Sequence, residues 1–347
     1  MATLLDIRGC LKDLRYDENS ARRRYQDSED AWQHRLRSPF AVDIGAITAS
    51  KAWRRLQGKT QLFFTISNRH VRNRLTHSLE VVEFAVAVCD ILGLNSDLAR
   101  AIALMHDFGH LPGGHLGERV LSKLCEQEIK HEVLSVVIAQ HIERGGKGLN
   151  LTYDTLMGAL KHSRSINELV LSPAVSAEAN VVMFADKICY ILSDANDAVR
   201  CIGENDEKVI SLMKVIKEIG SNQRDCWRRM ITAFCLESAE VGNISFSKAP
   251  ERKLLDEARK CMNPIYKLID LPFEESKIKY VYQIAQQFSD NPVLAVALMT
   301  GTDVDNLTAS VPQKWLRQRW EETAAFETLS KLPNPGSISL TDPDLDW

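Results

Sequence analysis

The chain has 347 residues, of which 45% are hydrophobic and 26% are charged. This composition is typical of a folded globular protein and excludes a largely disordered chain. The 43 Lys and Arg residues and 46 Asp and Glu residues give a formal net charge of −3, which excludes nucleic-acid binding through bulk positive charge alone. No apolar run approaches the roughly 18 residues that a membrane-spanning helix needs, so we expect no membrane partner.

The cysteines and the N-terminal sequence indicate the cellular compartment. The eight cysteines are scattered and include no Cys-x-x-Cys pair, whereas disulfide frameworks and zinc knuckles need clustered spacing. The first residues carry charge early, at Asp6 and Arg8, and lack the long apolar core of a secretory signal. Both features predict a cytoplasmic protein with reduced thiols.

Apolar residues recur with the 3.6-residue helical period over most of the chain, and alternation with period two is rare. We therefore predict an all-α fold. In the helix predicted at about residues 75–92, the buried face is expected to contain Leu79, Val82, Val86 and Cys89. Helices are predicted at about residues 75–92, 98–107, 117–126, 131–143, 151–162 and 177–202, and helical patterns continue over 207–239, 253–269, 275–288 and 292–298.

Composition suggests a division of the chain into three parts. Residues 1–30 are rich in charge and are expected to form a polar arm. Residues 31–331 are expected to form one helical body, with its motifs in 53–198 and a helical C-terminal part in 205–331. Residues 332–347 contain three prolines and are expected to form a flexible tail.

Histidines are concentrated in one region of the sequence. Seven of the nine lie between His70 and His141, where even spreading would place about two. His77 lies at the start of one predicted helix, and the neighbouring residues His106 and Asp107 lie at the end of the next. Asp186 follows the apolar run 181–185. An unpaired carboxylate facing a core is costly, and divalent cations bind imidazole nitrogens and carboxylate oxygens. Singly, each residue fits a helix cap or an exposed aspartate; together they predict a metal site.

Five stretches, in this order, resemble the motifs of the HD-domain deoxynucleoside triphosphate triphosphohydrolases, the dGTPase family. They are WRRLQGKTQLF (53–63), RLTHSLEV (74–81), HDFGHLPGGHLGE (106–118), LTYDTLMGALKH (151–162) and ADKICYILSDANDA (185–198). Five motifs in the family's order are far more specific than one dipeptide. The resemblance covers about residues 36–200 and implies an HD-domain helical bundle with additional C-terminal helices.

The resemblance implies a role for each matching residue. In the catalytic pair, Glu118 would orient His115, and His110 would lie on the phosphate or metal side. The cation would be Mn²⁺ or Mg²⁺, with another transition metal as an alternative. Its implied ligands are His77, His106, Asp107 and Asp186.

Further matching residues would bind the substrate. Asp186, Tyr190 and Asp194 are spaced by four residues and would therefore share one helix face over about 12 Å. The implied contacts are Gln61 and Asp194 to the sugar 3′-hydroxyl, Tyr190 under the deoxyribose, and Arg74, Lys187 and, by a weaker match, His131 to the phosphates.

The implied activity is hydrolysis of a deoxynucleoside triphosphate, dGTP or a similar nucleotide, at the α-phosphorus to give deoxynucleoside and inorganic triphosphate. The resemblance also implies a homo-oligomer, a hexamer by analogy, with single-stranded nucleic acid as a further candidate partner. Two alternatives remain. The protein could be another HD-domain phosphohydrolase acting on mono- or cyclic nucleotides. It could also be a non-catalytic nucleotide-sensing or nucleic-acid-binding regulator, because residues 277–299 lack the family's usual D-Y-[IV]-x-G-M-T-D stretch.

Overall fold

The computed structural model describes residues 3–26, 36–63, 68–163, 171–269, 272–309 and 315–347. Within these ranges the regular structure is helical and no β-strand forms, which confirms the predicted all-α fold. Isolated bridges join Arg23 to Thr152 and Thr60 to Asn73. Among the described helices, none combines the length and the hydropathy needed to cross a membrane.

The α-helices of the described residues are α1 (Pro39–Ala49), α2 (Lys51–Arg55), α3 (Arg74–Leu92), α4 (Ser96–Met105), α5 (His115–Cys125), α6 (His131–Val137), α7 (Tyr153–Leu160), α8 (Ala177–Cys201), α9 (Glu207–Ile219), α10 (Gln223–Val241), α11 (Pro250–Ile269), α12 (Pro272–Phe288), α13 (Pro292–Leu298), α14 (Gly301–Thr308), α15 (Leu316–Glu321) and α16 (Ala324–Leu329). A π-helical turn, Ile138–Ile142, follows α6 directly.

Local sequence sets both ends of α3. The Asn73 side chain accepts a hydrogen bond from the Thr76 backbone N–H, and the Thr76 hydroxyl accepts one from the Asn73 backbone N–H. This reciprocal cap satisfies two of the backbone donors that a helix start leaves open. Gly93 ends the helix at φ 85°, a left-handed conformation that glycine adopts without a side-chain clash.

The buried face of α3 differs from the predicted one. Val82 and Cys89 are buried as expected, but Leu79 is 47% exposed. The helix instead buries Val81, Phe84, Ala85 and Val88 as well. The helix α3 packs against α4 on one side and α8 on another. Its buried surface is therefore wider than the single apolar stripe of a helix that packs on one neighbour.

The helix α8 lies at the centre of the molecule. It contacts α3, α4, α7, α9, α10 and α11. Apolar residues fill most of its circumference, including Val181, Met183, Phe184 and Ile188, as expected for a helix enclosed by neighbours. Any polar side chain on its inner surface, such as Asp186, is therefore removed from solvent by packing.

The predicted helical pattern over residues 207–239 is confirmed, and one turn divides it. The pattern over 207–239 is two helices, because Gly220 takes an extended conformation after α9 and the Asn222 side chain caps α10. A Cβ on Gly220 would lie 2.5 Å from the Cys226 backbone N, so this tight turn requires glycine. The helix α11 continues through Pro264 without a break.

Both terminal segments lie against the helical body. The backbone N–H groups of Gly9 and Leu11 donate to the carbonyls of Ile91 and Leu92 at 2.8 and 2.9 Å. At the other end, Leu340 is buried. The boundaries at residues 30 and 331 stay predictions, but the described parts of both segments are packed on the fold.

The chain between α4 and α5 is held in a fixed shape by α6. The Ser135 hydroxyl donates to the His106 carbonyl at 2.7 Å and accepts from the Gly109 N–H at 2.9 Å. A Cβ on Gly109 would lie 2.2 Å from the His131 carbonyl oxygen and 2.4 Å from the Ser135 N. These neighbours are backbone atoms that cannot rotate away, so position 109 tolerates no side chain.

Replacing Gly109 with alanine should therefore destabilise the protein. We expect Gly109→Ala to lower the free energy of unfolding by on the order of 2–3 kcal/mol, because the loop and the start of α6 must separate. Thermal or urea unfolding followed by circular dichroism measures the change.

Gly45→Ala is the matched control. Gly45 lies within α1, where a Cβ would meet only the Arg37 Nη1 at 3.6 Å, so alanine should leave stability unchanged or raise it by up to about 1 kcal/mol. Equal stability of the two variants would contradict the close approach at Gly109.

Candidate metal centre and active site

The structure brings the predicted metal ligands together from three helices. His77 lies one turn into α3, His106 and Asp107 follow α4, and Asp186 lies within α8. All are buried. The His77 Nε2 is 3.1 Å from the Asp186 Oδ1, while the His106 Nε2 is 3.4 Å from the Asp107 Oδ1 and 3.8 Å from the Asp186 Oδ1.

This arrangement fits a divalent cation. Two adjacent ligands bound at about 2.1 Å and roughly 90–110° from each other lie about 3.0–3.4 Å apart, which matches the first two of these distances. The His106 Nδ1 donates to the Ala103 carbonyl at 2.7 Å, which leaves the Nε2 as the nitrogen that faces the carboxylates. That Nε2 is buried without a hydrogen-bond partner. An orphaned imidazole nitrogen between two carboxylates is the donor set that a cation would satisfy.

Both ligand carboxylates stay ionised. Burial alone would raise the pKa of Asp107, but His106 and Arg74 outweigh burial and hold that pKa well below its ordinary value. Burial likewise opposes the charge on Asp186, and Lys187 together with His77 holds its pKa well below the ordinary value. The site therefore retains negative charge for a cation.

Arg74 and Lys187 lie beside these carboxylates. The Arg74 Nη1 donates to the Asp107 Oδ2 at 2.8 Å. The Lys187 Nζ donates to the Asp186 Oδ2 at 3.0 Å and lies 5.8 Å from the centre of the Tyr190 ring. Each predicted phosphate-binding cation thus also neutralises one metal-ligand carboxylate.

The predicted catalytic pair lies at the start of α5. Gly113 and Gly114 precede the helix with positive φ angles of 80° and 54°. This turn directs the His115 side chain towards solvent, and the side chain is 67% exposed. The His115 Nδ1 donates to the Glu118 Oε2 at 3.1 Å. Burial opposes the charge on Glu118, but His131 and the surrounding hydrogen bonds hold its pKa well below the ordinary value. Glu118 therefore orients His115 as an ionised acceptor.

His110 and His131 connect the catalytic pair to the metal ligands. Their rings stack with centres 3.8 Å apart and planes 12° apart. The His110 Nε2 is 3.2 Å from the Asp107 Oδ1, and the His131 Nδ1 is 2.9 Å from the Glu118 Oε1. Burial and the nearby Arg74 lower the pKa of His110 to about 3, so this ring is neutral near neutral pH.

The predicted sugar-binding residues retain unused acceptors. Asp194 is buried, and its Oδ1 has no hydrogen-bond partner, while the Tyr266 hydroxyl donates to its Oδ2 at 3.3 Å. Burial raises the pKa of Asp194 to about 7. The Gln61 Oε1 is also buried without a partner. Tyr190 is half-buried between Asp186 and Asp194 on α8.

Sequence reasoning assigned no role to several residues that shape this site. Lys59 is fully buried, and its Nζ donates to the carbonyls of His110 and, at 2.9 Å, Ala297. His162 lies with its Nε2 at 3.2 Å from the His131 Nε2. Lys59 and His162 both lie in the motif stretches, and this position is the signal in the sequence that could have identified them. Tyr266 lies on α11, outside every motif, and had no such signal.

The chain was compared with known proteins, and residues 74–191 match the HD domain family. The chain is 36% identical over 264 residues to a deoxyguanosinetriphosphate triphosphohydrolase-like protein of Clostridium tetani, with 75% of each chain covered. A protein of the same description from Rickettsia rickettsii is 34% identical over 301 residues, with 76% of each chain covered. Another, from Caldanaerobacter subterraneus, is 44% identical over 165 residues, which cover 48% of this chain and 47% of the relative.

These comparisons confirm the resemblance predicted from the motifs. An HD domain implies a hydrolase that binds a divalent cation, and the buried cluster of His77, His106 and Asp107 is a group that can hold one. The relatives extend the match well beyond the HD domain itself. The chain therefore belongs to the HD-domain family of deoxyguanosinetriphosphate triphosphohydrolase-like proteins.

Proposed function

We propose that this protein hydrolyses deoxynucleoside triphosphates, dGTP among them, at the α-phosphorus. The products are a deoxynucleoside and inorganic triphosphate. The observation that carries the proposal is the orphaned ligand cluster around His106, which lies beside the oriented pair of His115 and Glu118. The relatives' shared description supports the same substrate class.

The ligands of the divalent cation in this proposal are His77, His106, Asp107 and Asp186. When bound, the cation, Mn²⁺ or Mg²⁺, supplies positive charge that polarises a phosphate oxygen and eases the approach of water. A nucleoside triphosphate carries about four negative charges. Arg74, Lys187 and His131 lie around the cluster and would hold the phosphate oxygens, with the two permanent cations offsetting part of that charge.

His115 moves the proton in this reaction. The water oxygen forms a bond to the α-phosphorus, the bond from phosphorus to the 5′-oxygen breaks, and the 5′-oxygen takes up a proton. Because the His115 Nδ1 is held by Glu118, its Nε2 is the nitrogen that faces the substrate. His110, neutral and stacked on His131, donates or accepts hydrogen bonds there without adding charge.

The deoxyribose would lie along α8. Tyr190 packs under the sugar and leaves no room for a 2′-hydroxyl, and the free acceptors of Asp194 and Gln61 receive the 3′-hydroxyl. Product identification separates this proposal from the alternatives. Orthophosphate without triphosphate would indicate another HD-domain phosphohydrolase, and nucleotide binding without product would indicate a regulator. The homo-oligomer, the nucleic-acid partner and the cytoplasmic location stay predictions.

The catalytic role of His115 is tested by His115→Ala. We expect kcat for dGTP in the presence of Mn²⁺ to fall by about 10²–10⁴-fold, the usual contribution of a positioned acid or base. Metal content should not change, because the exposed His115 lies outside the proposed ligand set. Chromatographic detection of triphosphate measures turnover, and elemental analysis measures bound metal.

His141→Ala is the matched control, since this half-buried histidine faces Asp344 at 3.4 Å and belongs to no part of the proposed site. It should turn over dGTP like the unmodified protein. Full turnover by His115→Ala would rule out this histidine as the proton-transfer group.

The pH dependence tests Asp194. With a carboxyl pKa of about 7, Asp194 is protonated below that pH and ionised above it, and the carboxylate is the stronger acceptor for a hydroxyl. We expect KM to fall as the pH rises through the Asp194 pKa; a bound cation would move this inflection to slightly lower pH. Asp194→Asn should remove the inflection and raise KM in the alkaline range by about 10–100-fold.

Tyr266→Phe is the companion variant. The Tyr266 hydroxyl donates to the Asp194 carboxyl and lowers its pKa, so losing this donor should shift the inflection to higher pH without abolishing it. Steady-state kinetics from about pH 5.5 to about pH 9 would follow both variants. An inflection that survives in Asp194→Asn would assign it to another group.

A further inference from the structure

Lys59 is a buried lysine that contacts both the candidate site and the C-terminal helices. It is 1% exposed and follows the single helical turn Leu56–Gly58. Its Nζ donates to the carbonyl oxygen of His110 and, at 2.9 Å, to that of Ala297. His110 belongs to residues 106–114, which we call the catalytic loop, and Ala297 lies in α13. One side chain therefore joins this loop to α13.

Both carbonyls depend on Lys59 for a hydrogen bond. Within the described ranges, no backbone N–H donates to the carbonyl oxygen of His110 or of Ala297. Ala297 is the last residue but one of α13, where helix carbonyls have no donor within the helix. Since a buried carbonyl without a partner is costly, losing the Lys59 donor would allow both backbone segments to move.

The charge of Lys59 is held at a cost. Burial and the nearby cations Arg55 and Arg74 hold the pKa of Lys59 well below its ordinary value, against the opposite influence of Asp107 and Asp303. Burying a charged group contributes little net stability to a fold. The informative property of Lys59 is therefore the backbone that its side chain holds in place.

Lys59 extends the contacts that fix the catalytic loop. The Ser135 hydroxyl bonds the His106 carbonyl and the Gly109 N–H, and Lys59 bonds the carbonyl of the next residue, His110. The loop is thus held at two consecutive residues, from α6 on one side and from the segment before α3 on the other.

The alignment of the catalytic pair depends on the position of His110. The His110 Nδ1 lies 3.2 Å from the Glu118 Oε1, and the His110 ring stacks on His131. The Glu118 Oε2 accepts from the His115 Nδ1. A shift of the His110 backbone would therefore disturb the carboxylate that orients His115.

The main chain of Lys59 has a separate role. Its carbonyl accepts from the Arg74 N–H at 2.9 Å, and the Arg74 Nη2 donates to the Gln61 carbonyl at 3.3 Å. These bonds hold two proposed substrate contacts and use no atom of the Lys59 side chain. A change of that side chain should therefore affect the catalytic loop and leave substrate binding in place.

We propose that Lys59 is a positioning residue for proton transfer. Its side chain fixes the backbone of the catalytic loop at His110 and so keeps the acceptor of His115 aligned. The inference rests on the proposed function, in which His115 moves the proton. Lys59 and Ala297 both lie outside residues 74–191, which match the HD domain. The helix α13 is therefore part of the structure that shapes the site.

Lys59→Met tests this role, because methionine fills similar space and cannot donate. We expect kcat for dGTP with Mn²⁺ to fall by about 10–100-fold, the scale that a displacement of about 1 Å costs, while KM changes by less than about threefold. Bound Mn²⁺ should not change, because Arg74 still holds Asp107 at 2.8 Å. Lys59→Gln keeps an N–H donor on a shorter side chain and should lose less. The exposed Lys214→Met on α9 is the matched control and should turn over dGTP normally.

A double variant distinguishes positioning from general damage to the fold. If Lys59 acts through His115, Lys59→Met should cause less than about a twofold further loss of kcat in a protein that already carries His115→Ala. Equal losses in both backgrounds would overturn the positioning role. If Lys59→Met does not fold by circular dichroism, Lys59→Gln is compared in the same two backgrounds.

Nuclear magnetic resonance of the histidine rings tests the inference without turnover. In the full-length protein, the imidazole signals of His110, His115 and His131 should shift in the Lys59 variant, and that of His141 should not. Unchanged signals would overturn the inference. If the unmodified protein releases no triphosphate from dGTP, the proposed function fails, and the imidazole signals still decide whether Lys59 positions the catalytic loop.

Discussion

The structure of the site depends on how two buried carboxylates divide their oxygens. In Asp107 the Oδ2 accepts from Arg74, while the Oδ1 faces the imidazoles of His106 and His110. In Asp186 the Oδ2 accepts from Lys187, while the Oδ1 faces His77 and His106. One oxygen of each carboxylate is thus held by a permanent cation, and the other is directed inward. Arg74 and Lys187, together with the surrounding imidazoles, oppose the effect of burial and keep the pKa of both carboxyls well below the ordinary value.

Helix packing supports this division of the carboxylate oxygens. Structural zinc modules fold only with their metal, because the ion supplies most of the folding free energy. Here α3, α4 and α8 pack through apolar side chains such as Val81, Ile102 and Met183, and ion pairs stabilise the carboxylates. Helix packing and ion pairs together therefore position the candidate ligand side chains.

Features of the fold that local sequence determines were predicted. Features that depend on contacts between distant segments were not. The helical period of the apolar residues predicted the bounds of α3 and α8 to within about one residue. The predicted ligands and the catalytic pair were named from motifs, and helix packing brings them together. The exposed position of Leu79 was not predictable, because which face of α3 is buried depends on two partner helices.

The contact between His131 and His162 was likewise not predictable from the sequence. The two residues are 31 positions apart, His131 at the start of α6 and His162 just after α7, and no spacing rule relates them. Their contact arises because Gly109 lets the loop after α4 lie directly on α6, which brings His131 beside Asp107, while α7 packs against both α4 and α6. A side chain at position 109 would separate the loop after α4 from α6. The absence of a side chain at position 109 therefore allows the loop that carries Asp107 to lie against the helix that carries His131.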